Sequence, residues 1–235
     1  MKRSRAMLYI VLLIIIPVTL FMGTKLPGRS YYLMSVIVAL EILAPFFMTF
    51  EKRKPKPREL ATVAVMAAFV TIARVGIPIP SFKPTFAVIL LSGIAFGPET
   101  GFVVGAMGAL GSDFFYGQGP FTPWQMMAYG VMGLIGGLAF REGGPLKRKN
   151  IVMAVFCFAA TVLVVGPLLD TSSVFITISV LTWKNVLPLY ISGFPVNLTQ
   201  GVCCFITLML FGEAILEKLE RVKLQYGMME DTDGI

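Results

Sequence analysis

The chain has 235 residues, of which 56% are hydrophobic and only 14% are charged, and its formal net charge is +7. This composition excludes a soluble globular enzyme, because the few charges stand in short clusters and leave long stretches that lipid or neighbouring helices must cover. Zinc sites and histidine proton relays are excluded too, since the chain has no His and its three Cys lack ligand spacing. The cations flank apolar runs, so they predict membrane orientation and not nucleic-acid binding.

Two apolar runs at the start of the chain, Met7 to Met22 and Tyr31 to Phe50, predict a transmembrane hairpin within residues 1–50. The first run follows three cations like a secretory signal, but no small-x-small cleavage site comes after it, so we expect it to be retained. Residues 51–59 hold five cations and two prolines. We interpret them as a basic cytoplasmic linker, because such a segment can neither continue a helix nor enter the bilayer.

Six further apolar segments predict a helical core over residues 60–216, which gives eight membrane spans and an all-α integral membrane protein. The predicted core spans are about Leu60–Val75, Phe86–Phe96, Thr100–Phe115, Pro123–Phe140, Ile151–Leu169 and Leu189–Leu216. A moderately apolar stretch, Ser172 to Leu181, is too short to cross alone. We interpret it as an outer loop or a half-buried connection; if it crosses, the count becomes nine. Residues 217–235 form a cytoplasmic tail.

The distribution of Lys and Arg predicts that both chain ends are cytoplasmic, because cytoplasmic loops hold the excess of cations. With eight spans and an inside start, about three quarters of the 20 Lys and Arg fall on the cytoplasmic side. The cations on or near the outer side are Lys25, Arg29, Arg74, Lys83 and Lys184. We interpret Arg74, near the outer end of its span, as snorkelling to the interface.

Several motifs of enzymes are missing from the sequence. It contains no G-x-x-x-x-G-K-[ST] phosphate-binding loop, so any drive from ATP must come from a partner protein. Three acids at helical spacing, Glu213, Glu217 and Glu220, stand among Lys218 and Arg221 and predict a solvated helix face. We therefore expect a chain without catalytic activity, cofactor or metal.

Glycines recur at every fourth position of one segment and predict close helix packing: Gly93, Gly97, Gly101 and Gly105. Pro98 interrupts this series, and we expect Gly97 to Gly101 to form a tight inner turn. Ala64 and Ala68, one turn apart on the first core helix, form a small-residue patch. The patch suits docking of a partner helix and internal packing equally well, and periodicity does not decide between them.

The segment from Gly111 to Gln125 places an acid, two Gln, a Tyr and a Trp near the outer face. A carboxylate at membrane depth costs about 2.5 to 3.5 kcal/mol, so Asp113 needs a partner or a watery cavity. We interpret the segment as a ligand site, because glycines allow close approach to the backbone and aromatic rings offer flat surfaces. The alternative is an interfacial aromatic belt in which Asp113 caps a turn.

Two other outer features accompany this segment. Gly76 to Pro84 contains three prolines and predicts either a stiff lid that needs little ordering on binding or a rigid connector. Asn197 and Gln200, near the outer half of the last span, could donate hydrogen bonds to a polar ligand. Ordinary hydrogen bonding between helices explains them as well.

The motif Ala64-x-x-x-Ala68, the turn Gly97-Pro98-x-x-Gly101 and the run from Gly111 to Gln125 together resemble the substrate-binding S components of energy-coupling factor (ECF) transporters. The resemblance covers a six-helix core at about residues 59–216, which the two-helix hairpin precedes. It implies a subunit of the cell membrane that captures a vitamin or metal ion at the outer side. A membrane coupling (T) subunit and two cytoplasmic ATPases would be its partners, and it would topple in the membrane to deliver the ligand.

The resemblance also implies roles for particular residues. Ala64 and Ala68 would dock the coupling subunit. The substrate-binding residues would be Pro80, Phe82, Lys83, Asp113, Phe115, Tyr116, Gln118, Phe121, Trp124, Gln125, Asn197 and Gln200. The chain lacks the N-terminal His of metal-specific members, so nickel and cobalt ions are not expected. The run from Gly117 to Gln125 looks most like members assigned to cobalamin or related corrinoids, while riboflavin, folate and queuosine precursors stay open.

Two rival functions come from other classes. A gradient-driven secondary transporter would show inverted repeats and midplane acids. The sequence has only a weak similarity between Gly101–Gly111 and Gly130–Gly137, and few acids lie at the midplane. The hypothesis of a membrane enzyme or assembly factor is supported by Glu41 and Asp113 alone. Dependence of uptake on ATP separates the first rival from an ECF subunit, and turnover of a lipid substrate would identify the second.

Overall fold

The computed structural model describes residues 10–23, 25, 37–38, 40–41, 57–141, 146–178 and 182–226. The regular structure of these residues is helical throughout, which confirms the predicted all-α fold class. Both chain ends, residues 51–56 of the predicted linker and most of the second predicted span lie outside the described residues. The two helices of the predicted hairpin still share one contact, because Thr19 Oγ1 donates a 2.7 Å hydrogen bond to Glu41 Oε1.

The described helices follow the predicted apolar runs. A π-helical turn, Val11–Ile15, leads into α1. The helices are α1 (Ile16–Gly23), α2 (Pro57–Val75), α3 (Thr85–Phe96), α4 (Pro98–Tyr116), α5 (Thr122–Ala139), α6 (Asn150–Ala160), α7 (Gly166–Thr177) and α8 (Trp183–Gln225). The predicted spans that correspond to α2 to α5 end within three residues of these bounds.

The interpretation of Ser172 to Leu181 as an outer loop is wrong as far as Thr177, because helix α7 includes these residues. A π-helical turn, Thr161–Val165, joins α6 to α7 in one continuous helix. In this turn Gly166 N donates to Thr161 O, and the wider ring accommodates the following Pro167 without ending the helix. The hydroxyl of Ser172 bonds back to Leu169 O, so this polar residue is satisfied within its own helix.

The predicted turn over Gly97 to Gly101 is also shorter than expected. Gly97 alone links α3 to α4, with a φ of 97° that favours glycine, and Pro98 begins the next helix. Proline suits this first helical position because its missing N–H would have no partner inside the helix.

Helices α3, α4 and α5 pack with their backbones in contact. A Cβ added at Gly133 would overlap Gly101 O, one at Gly105 would overlap Tyr129 O, and one at Gly93 would overlap Gly133 O. The glycines therefore have the packing role that their spacing predicted. The contact places the C-terminal end of α4 beside the first turn of α5, where the site described below is assembled.

One helix in the described part of the chain, Asn150–Thr177, is both long enough and apolar enough to cross a bilayer by itself. Thr85–Phe96 is apolar but shorter, and α4 and α5 contain many glycines. Large apolar side chains are exposed along α2, the α6–α7 helix and α8, among them Phe69, Leu163 and Leu210. Such a surface is expected of helices that contact lipid.

Candidate functional site

Arg74 is the centre of a polar cluster between the C-terminal ends of α2 and α4 and the N-terminal end of α5. Its Nη1 donates hydrogen bonds to Asp113 Oδ1 at 2.7 Å and to Ser112 Oγ at 2.5 Å. Its Nη2 donates to Gln125 Oε1 at 2.7 Å. The Arg74 side chain is 13% exposed. The interpretation of Arg74 as a snorkelling residue is therefore wrong, because its guanidinium points into the helix bundle and pairs with a carboxylate.

Asp113 is fully buried inside α4, which excludes the alternative that it caps a turn. Its pairing with Arg74 confirms the prediction that an acid at this depth needs a partner. No hydrogen bond to its second oxygen, Oδ2, has normal geometry among the described residues, and the hydroxyl of Thr122 is a nearby group that interacts with this carboxylate. An unmet buried acceptor costs about 1–3 kcal/mol, so Oδ2 can accept a hydrogen bond from a ligand donor if Thr122 does not satisfy it.

Two tyrosine rings enclose the Arg74 guanidinium. Its carbon atom lies 5.4 Å from the ring centre of Tyr116 and 5.3 Å from that of Tyr129. The hydroxyl of Tyr116 donates to Arg74 O at 2.9 Å, and the Tyr129 ring meets the edge of Phe86 at 4.9 Å. These contacts fix the guanidinium plane and leave Tyr116, half of whose surface is exposed, at the mouth of the cluster.

The predicted lid, Gly76 to Pro84, is attached to this cluster through Lys83. Lys83 Nζ donates to the hydroxyl of Tyr116 at 2.5 Å and lies 4.7 Å from the centre of its ring. The thiol of Cys204 on α8 donates to Lys83 O at 3.7 Å. Ser81 has a φ of 58°, the one positive φ of a non-glycine residue in the part of the chain that the structure describes. Strained residues of this kind often mark ligand clamps.

The charges of the cluster suit a ligand with several acceptor atoms. Arg74 and Lys83 supply two cations against the single carboxylate of Asp113. With one carboxylate oxygen open to a donor, the cluster can hold a molecule that presents an N–H or O–H group beside carbonyl or anionic oxygens. The exposed ring of Tyr116 suits contact with a ring system, whereas Tyr129 is buried against Arg74 and Phe86.

Asn197 lies in a second polar cluster, between α7 and α8. Its Nδ2 donates to Asp170 Oδ2 at 2.8 Å, and the hydroxyls of Thr171 and Tyr190 are 2.7 Å apart. Asp170 was not among the predicted site residues, although an acid within an apolar helix is itself a signal of function or pairing. Among the described residues, the hydrogen-bond partners of Asn197 and of Arg74 are different, so these two predicted features lie in separate clusters.

The remaining predicted residues differ in exposure. Trp124 is 7% exposed and stacks on Phe175 of α7, at 5.6 Å between ring centres. Phe115 is 71% exposed and points away from the buried cluster. The half-buried members of the predicted set are Phe82, Gln118, Phe121, Gln125 and Gln200, and Pro80 is exposed.

The small residues of α2 face outward. Ala64 and Ala68 are both exposed, whereas Val63, Met66 and Val70 on the other side of the helix are buried in the core. The structure therefore leaves a smooth surface at the position that the sequence analysis predicted for a partner helix. Within the described residues, no group of three Cys, Asp or Glu side chains is close enough to hold a metal ion.

Comparison with protein families gives a match to one model over residues 54–217, more than half of the chain. That model is described as the S component of ECF-type riboflavin transporters. The matched region begins after α1, within the predicted linker, and includes every residue of the Arg74 cluster.

Curated relatives are UPF0397 proteins. One from Vibrio atlanticus is 31% identical over 99 residues, which cover 40% of this chain and 51% of the relative. One from Streptococcus gordonii is 36% identical over 124 residues, which cover 47% of this chain and 66% of the relative. The chain thus spans about half the length of the Vibrio relative. No solved structure matches the chain significantly.

Proposed function

The chain belongs to the family of ECF-type riboflavin transporter S components, and from this premise we propose that it captures a vitamin for an ATP-driven importer. In this proposal it is a multi-pass protein of the cell membrane with both ends in the cytoplasm. A membrane T subunit and two cytoplasmic ATPases supply the coupling and the energy. The chain itself binds and releases its ligand without catalysing a reaction.

The observation that carries the proposal is the Arg74 cluster. Three side chains from α4 and α5 accept hydrogen bonds from the Arg74 guanidinium of α2, and one buried carboxylate oxygen has no hydrogen bond of normal geometry. A polar group without a partner in a membrane-embedded bundle is costly unless a ligand satisfies it. The lid, Gly76 to Pro84, contacts the cluster through the hydrogen bond from Lys83 to Tyr116, and this contact can close the entrance over such a ligand.

We infer that the ligand is a flat heteroaromatic vitamin. A ring N–H can donate to Asp113 Oδ2, neighbouring ring carbonyls can accept from Lys83 or Arg74, and the ring can lie against Tyr116. Riboflavin has these groups and is named in the description of the matched family, so it is the first compound to test. Cobalamin is the second, on the similarity of the run from Gly117 to Gln125 to corrinoid-binding members.

Equilibrium binding to the purified chain tests the capture step. We expect tight binding of riboflavin or cobalamin, and an affinity lowered about ten- to a hundredfold by Asp113→Asn, the loss expected for one charge-assisted hydrogen bond. Glu99→Gln is the matched control, because Glu99 is a carboxylate in the first turn of the same helix, at its other end. Equal losses in both variants would show that Asp113 does not contact the ligand.

Uptake by cells tests the coupling step. Expressed with a T subunit and the ATPases, the chain should import the vitamin, and uptake should stop when the ATPases are inactivated. An ionophore should leave initial uptake unchanged, whereas a gradient-driven transporter would show the opposite pattern. Reporter fusions should place Gln118 outside and Lys147 in the cytoplasm. A chain that binds none of the vitamins tested and associates with no coupling module would end the proposal.

A further inference from the structure

Three aromatic rings from three helices form a continuous row that starts on α1. The ring centres of Phe21 and Phe175 are 5.5 Å apart, with the planes at 88°. Phe175 in turn stacks on Trp124 with 5.6 Å between ring centres and 18° between planes. Lys25 Nζ lies 5.6 Å from the centre of the Phe21 ring at the far end of the row. Edge-to-face and stacked pairs at these distances are favourable arrangements of aromatic rings.

Helix α1 is held against the core by one narrow face. Ile16 is 0% exposed and Leu20 is 2% exposed, one helical turn apart, and both belong to the main hydrophobic core. Val18 and Met22 on other faces are more than half exposed. These two buried side chains fix α1 against the core, so the position of Phe21, next to Leu20, does not depend on the contacts of its own ring alone.

The other end of the row reaches the first turn of α5. Trp124 precedes Gln125, whose side chain accepts the hydrogen bond from Arg74. Gly119 and Thr122 exchange two hydrogen bonds at the start of this helix, one from each backbone N–H. Because Trp124 and Gln125 are consecutive residues of one helical turn, a displacement of the α5 backbone at Trp124 also displaces the Gln125 side chain.

We infer that Phe21 is a positioning residue for the binding site: it holds Phe175, which holds Trp124 and so the first turn of α5 beside Arg74. Helix α1 then contributes to substrate binding by supporting the site. The inference rests on the proposed function for its ligand, but the position of Trp124 can be measured without one. Phe21 lies outside the region that matches the family model, which begins at residue 54, so this support is an addition of the present chain to the family core.

Tryptophan fluorescence tests the positioning directly. The chain has two Trp, and Trp183 is 84% exposed at the start of α8, so Trp183→Phe leaves Trp124 as the only reporter. In this background, Phe21→Ala should shift Trp124 emission to longer wavelength and increase its quenching by acrylamide. Met22→Ala, on the same helix and 62% exposed, is the matched control and should change neither. Phe21→Tyr keeps the ring and should behave like the parent.

Riboflavin binding by equilibrium dialysis is the second readout. We expect Phe21→Ala to raise the Kd about two- to tenfold, the range for one aromatic pair, and Phe21→Tyr to restore it. Phe21→Leu, which keeps apolar volume, replaces Phe21→Ala if that variant does not give a monodisperse protein. Equal emission and equal Kd in the Phe21 and Met22 variants would overturn the inference. Failure of the parent protein to bind riboflavin would count against that ligand, and the emission comparison would still decide the role of Phe21.

Discussion

A double-mutant cycle on Arg74 and Asp113 tests the construction of the site. Arg74→Gln leaves a fully buried carboxylate without its cation, and breaking a buried pair in this way costs about 3–5 kcal/mol. Asp113→Asn leaves a guanidinium that is 13% exposed and still bonded to Ser112 and Gln125, so the loss should lie at the low end of that range. Neither variant is expected to be neutral.

The double variant removes both charges and should recover most of the loss. Two neutral amides in place of the ion pair forgo only one or two net hydrogen bonds, which corresponds to about 1–2 kcal/mol of unfolding free energy. The two single losses together amount to about 6–8 kcal/mol, so the predicted coupling between the sites is at least about 4 kcal/mol.

Thermal unfolding in detergent micelles provides the assay. Cys157, Cys203 and Cys204 are free and buried, so a thiol-reactive dye should label them only as the helices separate. We expect Tm to fall clearly for each single variant and to return close to the parent value in the double variant. If the decreases in Tm of the two single variants simply add in the double variant, Arg74 and Asp113 do not form a buried pair. An unchanged Tm in Arg74→Gln would restore the snorkelling interpretation.

Three further changes test other parts of the structure. Gly133→Ala should destabilise the chain by several kcal/mol, because the added Cβ overlaps Gly101 O in the backbone of α4. The dye assay measures the loss of stability, and an unchanged Tm would contradict the close contact between α4 and α5. Ala64→Trp should leave vitamin binding intact and block uptake with the coupling module, and loss of binding would indicate internal packing instead. Lys83→Ala should speed ligand release in a stopped-flow experiment, whereas an unchanged rate would show that the lid works without its contact to Tyr116.

The helices were predictable from the sequence because long apolar runs have few structural alternatives in a membrane. Helix α7 was missed beyond Leu169, since Asp170, Thr171 and Ser172 resemble a polar loop. The structure satisfies two of these hydroxyls on carbonyls of the preceding turn, at Pro167 and Leu169. Such back-bonding has no signature in the sequence apart from the residue types themselves.

The candidate site was predictable in part. Asp113, Gln125 and Tyr116 were selected because polar and aromatic residues gather in one short segment near the outer face. Arg74 was missed because its partner Asp113 is 39 positions away, and proximity to the membrane boundary made snorkelling the simplest local explanation. Asn197 was grouped with Asp113 by depth alone. Depth along a helix does not specify which face the side chain occupies, and Asn197 pairs with Asp170.

The central claim is that a nutrient occupies the Arg74 cluster and satisfies Asp113 Oδ2. Mass spectrometry of small molecules that stay bound through mild purification tests it most directly, with the parent protein and Asp113→Asn prepared side by side. We expect about one heteroaromatic molecule per parent chain and a strong depletion of the same molecule in the variant. An equal amount of one ligand in both preparations would contradict it.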